Sequence, residues 1–469
     1  MSDSSRLRQL TGDMFIFIIG TVLAKAIQFL LMPLYTAYMT PEAYGTAELT
    51  NNFSELLFPA VTLCIYEAAF RYAVDPKTDN GSVTRSVARV MGVSMLLGIG
   101  AAAAARYVFH YEYAYCLYFV LYAYSLRMCA AYYVRGKGMS KVFAVSGIVN
   151  AAALALLSYI LLVKLGGGVR AYLLAIAGSF LVSFFYLVIR GLIGRDLRSS
   201  SFDKETHELL LKYGVPLIAY NLLYWFTTIS GRYILLWFTD PSTAGLYVAA
   251  IKIAAVINMI QQAVYAAFQL NTSMVYEEEG EGEKYFSSVI NLFISLYCVF
   301  GAPIICMSSL IAKFALRGDF YEARIYLPLI MFSAILACIS SLVSALYSTY
   351  KKTGRKIGVS LTGACVNVLA GLLLAPRIGI WGICIASALC FFSQTVYMYF
   401  DVRSFCRITY RWKTILPDLA LLTAAVVAMS LDLKRGLAVS IAASVILLAK
   451  HTGDIREMIR KLAGKEDPL

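Results

Sequence analysis

Charge is scarce in this chain. Only 15% of its 469 residues are Asp, Glu, Lys or Arg, while 60% are hydrophobic. A soluble chain of this size carries roughly a quarter charged residues to cover its surface, so a soluble globular protein is excluded. Histidine is scarcer still. His110, His207 and His451 lie far apart in the sequence and beside no nucleophile or metal-ligand cluster. The ten cysteines sit in or next to apolar runs and form no CxxC pair, which reads as small apolar packing rather than disulfides or metal ligands. No catalytic residue, metal site or cofactor is expected. Long polar loops are also missing. Most connections have fewer than about a dozen residues, which argues against a membrane polymerase or acyltransferase. No selectivity-filter repeat points to a channel.

Long apolar runs recur from Met14 to Leu448. A helix needs about 20 such residues to cross the hydrocarbon of a bilayer. The pattern predicts an all-α polytopic membrane protein whose helices lie near 13–38, 44–74, 84–106, 112–134, 141–164, 170–193, 209–238, 243–274, 285–311, 323–350, 356–376, 379–402, 414–431 and 435–450. The first run lacks a small-residue cleavage site and is too long for a signal-peptide core, so it is read as a retained helix. The net charge is +13, but no basic domain stands outside the membrane and no nucleic-acid partner is expected. With the N-terminus inside, Lys and Arg show a roughly threefold excess on the inner side, which puts both termini in the cytoplasm. The acidic run Glu277-Glu278-Glu279 reads as a solvated loop. Apolar residues at Ile455, Met458, Ile459 and Leu462, interleaved with Arg456, Arg460 and Lys461, predict an amphipathic helix in the interface, and Phe202–Lys212 predicts a second.

Thr40-Pro41-Glu42-Ala43-Tyr44-Gly45 finds a counterpart in Asp240-Pro241-Ser242-Thr243-Ala244-Gly245. Later, a basic loop precedes the helix holding Asn150, and another precedes the helix holding Asn367. These matches suggest a parallel repeat with a substrate site between its copies. The division expected is an N-terminal lobe over 1–200 (helices 1–6), a C-terminal lobe over 201–405 (helices 7–12), and helices 13–14 with a tail over 406–469.

Ionisable residues inside a span are costly and mark function by default. Five cations fall within predicted helices: Lys25, Arg71, Arg127, Arg232 and Lys252. Lys25 and Arg127 are deepest, and face either a cavity or a buried acid. Arg71 follows Glu67 by one turn, so an ion pair within the helix is the simpler reading. Arg232 and Lys252 lie nearer the outer side, where snorkelling competes with a cavity role. Among the acids of the early spans, Asp13 and Glu48 are expected near interfaces. Glu55 is deeper and is the candidate proton or sodium site, or else a partner for Lys25 or Arg127. Pro59, Pro216, Pro303 and Pro328 lie within spans as places to bend. A chamber with spare positive charge selects an anionic cargo, and a pyrophosphate supplies two charges and a geometry suited to arginine. The same chamber repels a cationic drug.

At these positions the sequence resembles the bacterial polysaccharide transport (O-antigen flippase-like) family. That family sits in the multidrug/oligosaccharidyl-lipid/polysaccharide exporter superfamily, with multidrug-extrusion transporters and lipid II flippases. The resemblance rests on Phe29-Leu30-Leu31-Met32-Pro33-Leu34-Tyr35 running to Thr40–Gly45, on Glu67-Ala68-Ala69-Phe70-Arg71-Tyr72, and on Leu211-Lys212-Tyr213-Gly214-Val215-Pro216-Leu217. Further on it rests on Lys351-Lys352-Thr353, Asn367, Pro376 and Gly379-Ile380-Trp381-Gly382. Gly231 departs from the pattern, because the family often has an acid before the arginine at this point. The resemblance implies two six-helix lobes plus two further helices, alternating access in a bacterial plasma membrane, and no chemical reaction. It implies an undecaprenyl-pyrophosphate oligosaccharide as substrate. The span cations themselves supply the expected contacts to its pyrophosphate: Lys25, Arg127 and Arg232 first, with Arg71 and Lys252 as secondary candidates. Membrane lipids, a coupling H+ or Na+ and polysaccharide-assembly proteins are the expected partners. An ion-coupled drug/cation antiporter and a lipid II flippase are the alternatives.

Overall fold

The computed structural model describes residues 27, 29–74, 78–199, 201–275, 282–350, 352–431 and 433–453. The described chain is helical, with no β-strand among the described residues. Its contacts divide it into two compact units, Met1–Trp225 and Phe226–Leu469.

In the first unit, α1 is Met32–Tyr38, α2 Pro41–Thr62, α3 Ile65–Ala73, α4 Asn80–Tyr107, α5 Ala114–Gly136 and α6 Ser140–Ser158, with a π-helical turn Tyr159–Lys164. Then follow α7 Gly168–Arg190, α8 Ile193–Ser199, α9 Lys204–Gly214 and α10 Leu217–Thr228, whose last residues pass the boundary. α5 is the central helix: α2, α3, α4, α6 and α7 all pack on it. In the second unit, α11 is Ser230–Phe238, α12 Pro241–Val275, α13 Gly282–Cys306 and α14 Ser308–Ala315. It continues with α15 Leu327–Thr349, α16 Lys356–Ile378, α17 Ile380–Val402, α18 Trp412–Leu431 and α19 Leu433–Lys450. α15 packs on α12, α13 and α17, and the last two helices pair with each other and lie on α13.

Nine described helices are long and apolar enough to cross a membrane, and the bent pair α2–α3 makes a tenth. Of the other four expected spans, 13–38 lies largely outside the described residues, as does the expected amphipathic segment at 455–462. The expected helices at 243–274 and 435–450 correspond to α12 and α19. The expected single helix 209–238 is instead divided among α9, α10 and α11 around Pro216 and Ile229. The division at Trp225 has a packing reason: α9 lies against α3 and α4, and the Trp225 indole donates to the Asn52 carbonyl at 3.3 Å.

The two similar hexapeptides start helices by the same chemistry. Thr40 Oγ1 accepts from the Ala43 amide at 3.2 Å, and Asp240 Oδ1 accepts from the Thr243 amide at 3.0 Å. Pro41 and Pro241 each take the first helical position, where a missing N–H costs nothing. The helices that follow then diverge. α12 runs 35 residues unbroken. The expected helix 44–74 is instead interrupted at Leu63 and Cys64, both at φ 50°, with a bend of 61° between α2 and α3. Leu63 N–H bonds the Ala60 carbonyl and Cys64 N–H the Pro59 carbonyl, each at 3.2 Å. The break lies one turn beyond Pro59, and α13 likewise stops one turn beyond Pro303.

Left-handed backbone at leucine and cysteine costs about 1–2 kcal/mol each, so surrounding structure must hold it. Gly214 of α9 presses on the break: a Cβ there would lie 2.6 Å from the Leu63 carbonyl oxygen. Gly214→Ala is therefore expected to destabilise the protein by about 1–3 kcal/mol, read as a lower melting temperature in detergent. Gly92→Ala, where nothing lies within 4 Å, is the control and should melt as wild type or slightly higher.

Candidate functional site

Arg127 lies midway along α5, half-buried in the first unit. Its Nε donates to the Ser183 hydroxyl on α7 at 3.1 Å. Ser183, fully buried, donates its own hydroxyl hydrogen bond to the Ser146 carbonyl on α6 at 2.9 Å. The guanidinium carbon stands 5.8 Å from the centre of the Phe180 ring. Tyr124, one turn earlier on α5, packs on Phe180 (5.2 Å) and Phe58 (4.8 Å). Tyr124 also lies within electrostatic reach of both Arg127 and Glu55. Among the described residues no carboxylate lies within ion-pair distance of Arg127. The result is a cation oriented by one hydroxyl and the Phe180 ring, with Nη1 on the Met128 sulfur at 3.8 Å and no N–H directed at an acid among the described residues. Such a group attracts an anion strongly in a low-dielectric setting.

The other expected site residues are spread out. Lys25 lies outside the described residues. Glu55 is exposed on α2. Arg71 is exposed at the end of α3, and the ion pair expected with Glu67 is not formed; Glu67 accepts instead from the Tyr66 hydroxyl at 3.2 Å. Arg232 on α11 and Lys252 on α12 are both half-buried in the second unit. Arg232 lies within electrostatic reach of Tyr247. Gly231, which stands where the resemblance would have an acid, is closely packed: a Cβ there would meet Ile383 Cγ2 at 2.8 Å.

Two further ionisable residues have partners that the sequence did not indicate. Glu48 is only 2% exposed and accepts a hydrogen bond from the Tyr172 hydroxyl. Tyr172 meets Tyr35 edge-on at 4.9 Å and Tyr44 at 5.8 Å, and Tyr35 bonds Ser158 at 3.0 Å. This knot ties α1, α2, α6 and α7 together. His451, expected in an isolated loop, belongs to a charged cluster. Asp418, fully buried on α18, pairs with the imidazole at 2.8 Å and with Lys450 Nζ at 2.6 Å. An aspartate inside the apolar run 414–431 was the available signal. All ten cysteines are free thiols, and no metal-binding group of side chains occurs among the described residues.

A family model described as "Polysaccharide biosynthesis protein" matches residues 10–267, more than half of the chain. The chain belongs to this family. No curated protein matches it. Among solved structures, the chain resembles the lipid II flippase MurJ in an inward closed conformation, with a TM-score of 0.69 and 13% identity over 95% of this chain and 100% of that one. It also resembles an inward-facing multidrug resistance MATE transporter of the MOP superfamily, at 0.67 and 12% over 82% and 95%. A third likeness is a MOP superfamily transporter from Pyrococcus furiosus whose binding pocket of reverse polarity suggests a different function, at 0.57 and 14% over 84% and 96%. At these identities the likeness establishes the fold, which is the one the sequence motifs implied.

The Glu48 knot yields a stability prediction. Tyr172→Phe keeps the ring and removes the donor to a buried carboxylate, so it should destabilise the protein by about 1–3 kcal/mol, measured by thermal unfolding in detergent. Unchanged melting would show that Glu48 does not depend on that hydroxyl.

Proposed function

We propose that this protein is a flippase that moves a polyprenyl-pyrophosphate-linked oligosaccharide from the inner to the outer leaflet of a bacterial plasma membrane by alternating access. In this reading it makes and breaks no bond, takes no cofactor, and keeps both termini in the cytoplasm. The observation that carries the proposal is Arg127. A guanidinium among apolar helices loses hydration at a cost of several kcal/mol. A protein that only needed stability there would pair it with an acid or replace it. Arg127 is positioned by Ser183 and Phe180 and keeps donors to spare, an arrangement suited to a phosphate oxygen that arrives and leaves. The abundant tyrosines give a transiently wetted path flat faces for sugar rings. Arg232, Lys252 and Lys25 are proposed as further cationic contacts, with Arg71 the weakest of the set. Glu55 is proposed as the group that couples transport to H+ or Na+.

A lipid II flippase is a special case of the same cargo, and the likeness to MurJ fits it. The drug/cation antiporter reading draws on the likeness to the MATE transporter, but requires acids to outnumber bases around the cargo.

The test is reconstitution in vesicles with a fluorescent polyprenyl-pyrophosphate saccharide. Arg127→Ala is expected to lower flipping by at least about tenfold, the loss of one charge-assisted contact, with folding and expression normal. Arg127→Lys, which keeps the charge and loses the fork, should retain a fraction of activity. Wild-type flipping by Arg127→Ala would reject the assignment, and resistance to cationic drugs without saccharide transport would favour the antiporter.

A further inference from the structure

The first unit carries a cavity unrelated to Arg127. It encloses about 490 Å³ beside the break in α2–α3, with α4 and α9 as its other walls, and lies within the size range of ligand sites. Val61, Val93, Leu97 and Ala101 make it apolar along most of its length. Arg89 and His207 stand at one end.

Its setting fixes what such a cavity meets. α4 has 28 residues, about 42 Å of helix, against roughly 30 Å of hydrocarbon. The polar first turns, Asn80 to Arg89, therefore stand in the headgroup layer, and the apolar run from Val90 onward spans the acyl layer. Only 17% of the apolar window of α4 is buried, and Leu96 and Leu97 are both 71% exposed, so the cavity opens toward lipid tails. The Gly98 backbone permits its floor: Tyr122 packs where a Cβ would be and donates to the Ser94 carbonyl at 2.5 Å.

The polar end has Arg89 and His207 in its lining and unpartnered polar atoms on and beside it. Arg89 lies 4.5 Å over the Phe202 ring, which meets His207 at 5.3 Å. Stacking leaves the edge of a guanidinium free to donate. His207 Nδ1 is buried and has no hydrogen-bond partner, and the same holds for Nε of Arg85, one turn before Arg89. Burial, and then the nearby Arg89 charge, hold the His207 imidazole below its usual value, so near neutral pH it presents a neutral ring and Arg89 supplies the charge. The nearest acid on α9, Glu208, is engaged by Lys204 at 3.6 Å.

We propose that this cavity is a binding site for one anionic membrane phospholipid, with its phosphate at Arg89 and His207 and one acyl chain along Val93, Leu97 and Ala101. Charge complementarity at one end and continuity with the acyl layer along the other select this occupant. Because it lies behind the bend at Leu63–Cys64, the bound chain props α2–α3 in the angled arrangement.

The test uses the full-length protein in phosphatidylcholine nanodiscs doped with phosphatidic acid bearing a photoreactive acyl chain. After illumination, mass spectrometry is expected to find labels concentrated on residues 93–101 and 60–63. Arg89→Gln should reduce them about tenfold, as expected for one charge-assisted phosphate contact, and Ala101→Trp, which fills the exposed mouth, should abolish them. Labelling spread evenly over lipid-facing helices such as α16, and insensitive to both variants, would show ordinary boundary lipid and overturn the site. Displacement by millimolar inorganic phosphate alone would show a phosphate site with no role for the chain and would also overturn the proposal.

Discussion

A guanidinium held among apolar helices gives up hydration, and at Arg127 the packing of α5 against α6 and α7 offsets that loss. The recovery comes from a serine hydroxyl and an aromatic face rather than from a carboxylate. Serine also matters through its size and its second bond: Ser183 is small enough to let α5, α6 and α7 approach, and its hydroxyl donates to the Ser146 carbonyl. The same residue thus joins three helices and orients the cation. A carboxylate in its place would neutralise the charge and leave nothing to attract an anion.

Elsewhere buried charge is treated in the opposite way. Glu48 is enclosed by three tyrosines and receives a proton donor from one of them. Asp418, near the start of α18, is matched by both Lys450 and His451 at the end of α19. These groups are satisfied and hold helices together. The contrast between satisfied acids and a cation with donors to spare separates structural charge from the candidate cargo contact within one molecule.

The apolar runs made the helices legible, because a bilayer requires about 20 uninterrupted apolar residues per span. The hexapeptides at Thr40 and Asp240 stood out as a repeat, and the structure showed that both open a helix with a side-chain cap. The break at Leu63–Cys64 was hidden. Neither residue favours a left-handed backbone, and the partner that holds it, Gly214, is far along the chain. Arg127 could be singled out as a cation in a span, whereas Ser183, Ser146 and Phe180 carry no local mark that sets them apart from packing residues. Likewise the Glu67–Arg71 pair was reasonable from spacing and failed because Arg71 points outward while Glu67 meets Tyr66.

The sequence by itself determined that this chain is a bundle of membrane helices, where most of them begin and end, and which family it belongs to. Those properties follow from solvent transfer and local backbone chemistry, which act over one or two turns. Only the tertiary structure decided which charges are paired, where the α2–α3 helix bends, how closely Gly231 is packed, and that an apolar cavity beside the bend has Arg89 and His207 at one end. Each of these depends on which distant side chain fills a particular few ångströms, and no local pattern in a single sequence encodes that.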